Sequence, residues 1–395
     1  MQKNVKNLIS KMWGPQPAGL KSLFIGFVIV AILLIIPTGY ENAVIYQGTD
    51  KVKAQIINVD DSAIISNGLI RTGEQLCEVM IKAGKFKGQS TYAVNLLSGS
   101  LAQDKEFAVG DMALIVVSYD GDKIISATMI DHYRINWEIF LFAFFTCLLV
   151  FFAGPAGMRS LISFLVTVLS IWKILIPSCL RGANPIMVGV VIVAFLTVII
   201  ILFVYGFEKR SFVAISGSML GVMTALILGV VFTKLFKIHG AIMTDSESLL
   251  YAGYGDLNLT NIFMASIFIG ASGAMMDLAV DITSGISEVV HKKPEISSLE
   301  AIGSGIRIGQ AAMGTMTTTL LLAYAGSYTT QLMVFMAQGT PIINILNYKY
   351  VASEILQTLA GSFALVTVAP FTALVAGIVL TKDSYHMEIK DKKAS

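Results

Sequence analysis

The chain reads as an α-helical membrane bundle of about eight transmembrane helices, with a small extracytoplasmic all-β domain inserted after the first helix. Three observations carry this reading. Hydrophobic residues make up 55% of the 395 and charged residues 14%, whereas a soluble domain has about 45–50% apolar and about 25% charged residues. Long apolar runs recur along the chain and are interrupted once, over residues 44–134, where charges and short β-branched runs appear. Finally, one of the long runs carries its small and polar residues on a single helix face.

The first run, 23–36, follows Lys3, Lys6, Lys11 and Lys21, and no small-x-small cleavage site follows in Pro37-Thr38-Gly39-Tyr40-Glu41. It is therefore expected to be an uncleaved first span, with residues 1–40 forming a cytoplasmic tail and this helix. Residues 41–134 form the β domain. Strands are expected at 52–59, 76–81, 113–118 and 123–130, with turns at Gly84-Lys85-Phe86-Lys87-Gly88 and Tyr119-Asp120-Gly121-Asp122. A small barrel or sandwich fits, an OB-like barrel among the candidates.

Residues 135–381 are expected to form a seven-helix bundle, from runs at 135–153, 161–176, 185–205, 212–235, 260–290, 308–336 and 351–380. Most reach the roughly 20 residues that cross the hydrocarbon core. Residues 382–395 are read as a second tail. The N-terminal tail, Arg159, Lys209-Arg210, His291-Lys292-Lys293 with Arg307, and Lys382 with Lys390, Lys392 and Lys393 all fall on one side. That bias places both termini in the cytoplasm and the β domain outside.

Several classes drop out. A formal charge of +2 without a dense basic patch argues against a nucleic-acid partner. Cys77, Cys147 and Cys179 lie far apart and the four histidines are scattered, so neither a metal nor another cofactor is expected. With no P-loop, serine triad, HExxH pair or CxxC, nothing supports an enzyme.

In the run 260–290, Ser266, Gly270, Gly273, Asp277, Asp281, Ser284 and Glu288 recur at steps of three or four, one side of a helix. A carboxylate near the bilayer centre costs roughly 2.5–3.5 kcal/mol on insertion scales. Asp277 and Asp281 are thus the expected proton- or ion-coupling pair. The plainer reading has Asp281 and Glu288 at a wetted helix end and the glycines Gly270, Gly273 and Gly314 serving helix packing. The next run holds Gly314-Thr315-Met316-Thr317-Thr318-Thr319. Thr315, Thr317, Thr318, Thr319 and Gln310 are the expected polar partners of the carboxylates, although intrahelical bonds also satisfy such hydroxyls. Glu354 and Gln357 open the last run and could line a pathway entrance.

Ile269-Gly270-Ala271-Ser272-Gly273-Ala274-Met275-Met276-Asp277 and Met313-Gly314-Thr315-Met316-Thr317-Thr318-Thr319-Leu320, followed by Tyr324-Ala325-Gly326, closely resemble the signature blocks of the YibE/F family of bacterial multi-pass membrane proteins. The resemblance covers most of the chain and implies an N-terminal span, an outside β domain and a helical bundle. One departure is Gly309-Gln310-Ala311, where the family is associated with a Gly-Arg-Asp-like step; it implies a divergent or partnered member. The plan is more distantly similar to half a SecD/SecF or resistance-nodulation-division unit, with Glu288 eleven residues after Asp277. That likeness implies intramembrane carboxylates carrying protons, and a fold alone does not fix a function.

The expectation is an ion-gradient-coupled transporter or translocation-type protein in contact with membrane lipid and an unknown solute, acting as a homodimer or with a paralogue. The alternative is a non-transporting scaffold whose β domain binds a cell-envelope partner. An intramembrane hydrolase is a distant third.

Overall fold

The computed structural model describes residues 17–41 and 48–394. The tail lysines Lys3, Lys6 and Lys11 used for orientation lie outside the described residues. The chain divides into two compact units, Asn42–Leu148 and a second made of Met1–Glu41 with Leu149–Ser395.

The first unit contains a closed five-stranded barrel. Its strands are β1 (Thr49–Asn67), β2 (Ile70–Ile81), β3 (Ser90–Ser98), β4 (Met112–Asp120) and β5 (Lys123–His132), in the order β1-β2-β3-β5-β4. β4 returns to pair antiparallel with β1, and β3 meets β5 in parallel at Ala93–Ala127 and Val94–Thr128. Alternate residues point inward, as a period of two requires. Val52, Ala54, Ile56, Cys77, Val79, Ile81, Ala113, Ile115 and Val117 fill the interior, and Phe86 and Phe107 plug it.

Three strands differ from expectation, β2 by starting at Ile70, six residues before the expected 76–81, where it pairs with the end of β1. β1 runs on through Asp60 and Asp61, an acidic pair that reads as a turn, because a bulge between Asp60 and Ala63 carries the ladder past them. The bulge brings the Ala63 carbonyl so close to Gly73 (φ +120°) that a Cβ there would stand 2.2 Å from it. β3 was not expected at all. Its inward residues include Ala93 and Asn95, which give no apolar alternation, and it is specified by its ladder with β2.

The second unit is helical: α1 (Pro17–Ile35), α2 (Ile135–Ser170), α3 (Ile176–Leu180), α4 (Pro185–Tyr205), α5 (Lys209–Leu235), α6 (Ser246–Tyr251), α7 (Leu259–Lys292), α8 (Ser298–Ser327), α9 (Thr329–Ala337), α10 (Ile342–Asn347) and α11 (Lys349–Ala394), the start of α2 belonging to the first unit. Among the described residues, five helices are long and apolar enough to cross a membrane. A sixth results if α8 and α9, which meet at a 63° bend, count as one, and α1 is a shorter apolar helix.

The runs 135–153 and 161–176 fall on two helical legs that meet at a break without an intervening loop. They join in one helical stretch, Ile135–Leu180, kinked where Gly154 takes φ 54° and ψ −132° and Pro155 follows, and passing through a π-helical turn at Ile171–Leu175. Pro155 removes a backbone donor and Gly154 accepts the positive φ, so the kink sits where the sequence changes runs. α11 continues as helix to Ala394, through the residues read as a second tail, while its apolar candidate span ends at Thr381.

α7 is the centre of the bundle, with Phe263, Ile267, Phe268, Met275, Leu278, Ile282 and Ile286 fully buried. α4, α5, α8 and α11 pack around it and share one apolar core. α5 and α11 approach most closely at Gly217 and Gly221, where a Cβ would stand 2.0 Å from Thr372 Oγ1 and 2.1 Å from Val368 Cγ2. Without a hydrophobic drive between helices in lipid, such small-residue contacts supply the packing. A satellite cluster joins α1, α2 and α4 through Leu33, Ile162, Val166, Ile192 and Phe203.

Candidate functional site

α7 begins at Asn258, whose side chain accepts from the Asn261 amide at 2.9 Å, and ends with His291 and Lys292 in its last turn. These ends suit the helix dipole, which favours cations at the C-terminus. Three sides of the helix are packed. The fourth is open and carries Gly270, Gly273, Asp277, Asp281, Ser284 and Glu288, all exposed in the single chain, with Ser266 half-buried at its start. The periodicity in the sequence thus corresponds to one unpacked face of the most central helix.

That face is the floor of a furrow with two walls. On one side is α4: a Cβ at Gly189 would meet Phe268 at 2.9 Å, and the Tyr205 hydroxyl lies 2.6 Å from both the Val280 carbonyl and Ser284 Oγ. On the other is α8, where Gly285 faces Ile308, Gly309 faces Ile282 and Gly270 faces the Tyr324 hydroxyl. These three pairs fix an antiparallel register between α7 and α8. The stretch from Thr315 to Thr319 is therefore level with Asp277, and Gln310 is level with the turn from Asp281 to Ser284.

Shared depth does not mean direct bonding. Thr315, Thr318 and Thr319 turn their hydroxyls back onto the carbonyls of Ala312, Gly314 and Thr315 at 2.9, 3.0 and 2.9 Å. Thr317 is half-buried, and Gln310 is exposed. Glu288 pairs with Lys292 at 3.6 Å, as an exposed i,i+4 pair at a helix end does. Gly273 and Gly314 are not packing positions within one chain, because a Cβ on either would meet nothing within 4 Å. Of the three glycines expected to pack, only Gly270 has a neighbour.

Glu354 and Gln357 line a cavity of about 940 Å3 together with Tyr324, Tyr328, Gln331 and the loop around α6. The Tyr328 hydroxyl bonds the Glu354 carboxylate, and Glu354 Oε2 is buried without a hydrogen-bond partner among the described residues. Tyr324 thus borders both this cavity and the Gly270 end of the furrow. Among the described residues no three His, Cys, Asp or Glu side chains are grouped to hold a metal ion.

Sequence reasoning missed Tyr205, Tyr328, Tyr350 and the α6 loop, and met Tyr324 only within a signature block. Tyr205 had one signal, its place as the last residue of an apolar run before Gly206. The loop had none, since its residues become lining only when the helix ends gather.

No curated protein and no solved structure matches the chain. The family model described as YibE/F-like protein matches residues 141–382. That stretch contains the Gly154 kink and all of α2 after its first six residues, the whole of the furrow and the cavity, and exceeds half of the chain. With its apolar helices and both signature blocks inside the match, the chain is a multi-pass membrane protein that belongs to the YibE/F-like family.

Proposed function

We propose that the chain is an ion-gradient-coupled transporter or translocation-type protein in which Asp277 and Asp281 carry the coupling ion. One observation carries this reading: the most buried helix of the bundle leaves unpacked only the face that bears its two mid-span carboxylates. Facing lipid, that arrangement would cost several kcal/mol, about 2.5–3.5 per carboxylate on insertion scales. Facing a wetted furrow, each carboxylate can exchange a proton or sodium ion. The hydroxyls of Thr315 to Thr319 and the Gln310 amide, level with the pair, offer polar groups for ion or water.

Eight spans follow if the two legs of α2 about Gly154 cross separately and α1 and the bent α8–α9 pair each count once. With eight, the Lys and Arg bias puts both termini in the cytoplasm and the barrel outside. The barrel's strand order and its parallel β3–β5 contact favour an OB-like module, a fold that handles ligands on its strand faces.

The test is proteoliposomes under an imposed pH or sodium gradient, read by an internal fluorescent ion indicator. Wild type is expected to conduct gradient-driven exchange. Asp277→Asn keeps size and membrane abundance and is expected to lose exchange by at least about tenfold, or about 1.4 kcal/mol. Asp281→Asn, a turn nearer the helix end, is expected to lose less. Full exchange by the double variant would sink the reading.

The scaffold alternative draws on a different observation, the open space at Gly273 and Gly314. A second copy or a paralogue seated there would cover the face without any ion moving. It predicts that cysteines placed at both positions cross-link between chains and that activity survives the double Asn variant.

A further inference from the structure

Two cavities of the helical unit share a wall. The larger, about 940 Å3, is lined by Tyr324, Tyr328 and Tyr350 with the carboxylates of Glu354, Asp245 and Glu247. The smaller, about 250 Å3, is a half-open apolar recess lined by Leu321, Leu332, Val351, Ile355 and Leu359. Tyr328, Gln331 and Glu354 line both. Among the described residues none that lines either cavity is Lys, Arg or His, although the Lys349 ammonium lies over the Tyr350 ring, 5.3 Å from its centroid.

Glu354 sits at the junction with an unmet demand, since its Oε2 is buried without a hydrogen-bond partner among the described residues. A buried acceptor left unpaired is costly, and more so when charged. A cation removes that cost. Tyrosine ring faces attract cations as well, through the negative face of the ring. A small inorganic cation would leave the apolar side cavity unused, and an anion would meet three carboxylates.

Resting on the transport reading above, we propose that the paired cavities are the cargo site and that the cargo is an amphipathic organic cation. Its charged centre lies between Glu354 and the rings of Tyr324 and Tyr328, and its apolar part fills the recess walled by Leu321, Leu332 and Ile355. The larger cavity lies within the size range of sites that hold drug-sized ligands. Tyr324, which borders both the cavity and the Gly270 end of the furrow, stands where cargo and coupling ion would influence each other.

The experiment measures binding to the full chain in lipid nanodiscs, with empty nanodiscs subtracted. The probes are tetraphenylphosphonium and, separately, tetraphenylborate, which has the same shape and the opposite charge. The expected result is saturable tetraphenylphosphonium binding at least about tenfold tighter than tetraphenylborate binding, and weakened about tenfold by Glu354→Gln. Equal binding of the two ions, binding no greater than to empty nanodiscs, or an unaffected Glu354→Gln variant would each overturn the proposal. If Glu354→Gln fails to assemble, the comparison of the two ions on wild type still decides. Binding needs no gradient, so the two readings separate on the wild-type chain. Binding without gradient-driven exchange would therefore remove the coupling reading and leave the site, whereas exchange without binding would do the reverse.

Discussion

The barrel and the helical bundle treat their polar side chains in opposite ways. In the barrel, Gln75 (1% exposed) and Asn95 (0%) lie in the interior, and their polar atoms are largely spoken for. Gln75 donates to Asp61 and the Phe107 carbonyl at 2.9 and 3.1 Å, and accepts from the Phe107 amide at 3.0 Å and from Asn95 at 3.1 Å. That network ties the segment before β4 to β2 and β3. In the bundle, α7 places two carboxylates on its only unpacked face, and the nearby threonines bond to their own helix. A closed network rigidifies; an open one leaves capacity for something that comes and goes. The difference teaches where to look for function, and it can be broken or sharpened by experiment.

The largest effect is expected at the closest helix contacts. Gly217→Val or Gly221→Leu drives new atoms into Thr372 and Val368, and at Gly217 even the Thr372 Cα is only 3.0 Å from the new Cβ. Overpacking of this kind costs about 1–3 kcal/mol or more. Membrane abundance, followed by size-exclusion profile, should collapse. Gly273→Ala adds its methyl to open space and should leave abundance unchanged. A collapse at Gly273 as well would mean that the open face is occupied by another chain.

Next in size is the barrel network. Gln75→Leu strands the Phe107 amide and the Asn95 side chain in the interior, a loss of about 1–3 kcal/mol. Hydrogen exchange on the full chain should show the barrel amides losing that much protection while those of α7 keep theirs. Uniform loss in both units would contradict their division into two compact bodies.

A smaller effect is pH-dependent. Asp104 accepts from the Ser98 and Gly99 amides at 2.9 and 2.7 Å, and these bonds hold its carboxyl below the usual 3.8. A carboxyl depressed by folding adds stability at neutral pH and loses that contribution as the pH falls through its folded value. The barrel's melting temperature should therefore drop on acidification below pH 3.8. Asp104→Asn should melt lower at neutral pH and vary less across that window.

The smallest effect is chemical. Cys77 is buried in the barrel, and desolvation pushes its thiol up to about 11. A maleimide at pH 7 should not label it until the barrel unfolds. Rapid labelling of the native chain would show that the barrel opens. A topology probe should therefore use an introduced cysteine at the Gly121 turn and not Cys77.

The sequence by itself determined the membrane class, the inserted β unit and the polar face of α7. Each of these rests on composition or on a local period, and both survive folding unchanged. The two aspartates fall on one face of any helix through 260–290, whatever packs around it. Family membership was legible for the same reason, since both signature blocks are contiguous. The extra strand β3 was not, because an Asn at an inward position looks like a loop residue until Gln75 and the Lys105 carbonyl answer it. The division of 135–180 into two runs was legible, but local pattern could not show that the two legs abut at Gly154-Pro155 with no loop between them. Only tertiary structure decided that Gly273 and Gly314 meet nothing, that α4 and α8 wall the furrow, and that three tyrosines, Glu354 and the α6 loop gather around one cavity. Those facts depend on which helices become neighbours. That is set by summed packing across segments far apart in the chain, and no local window contains it.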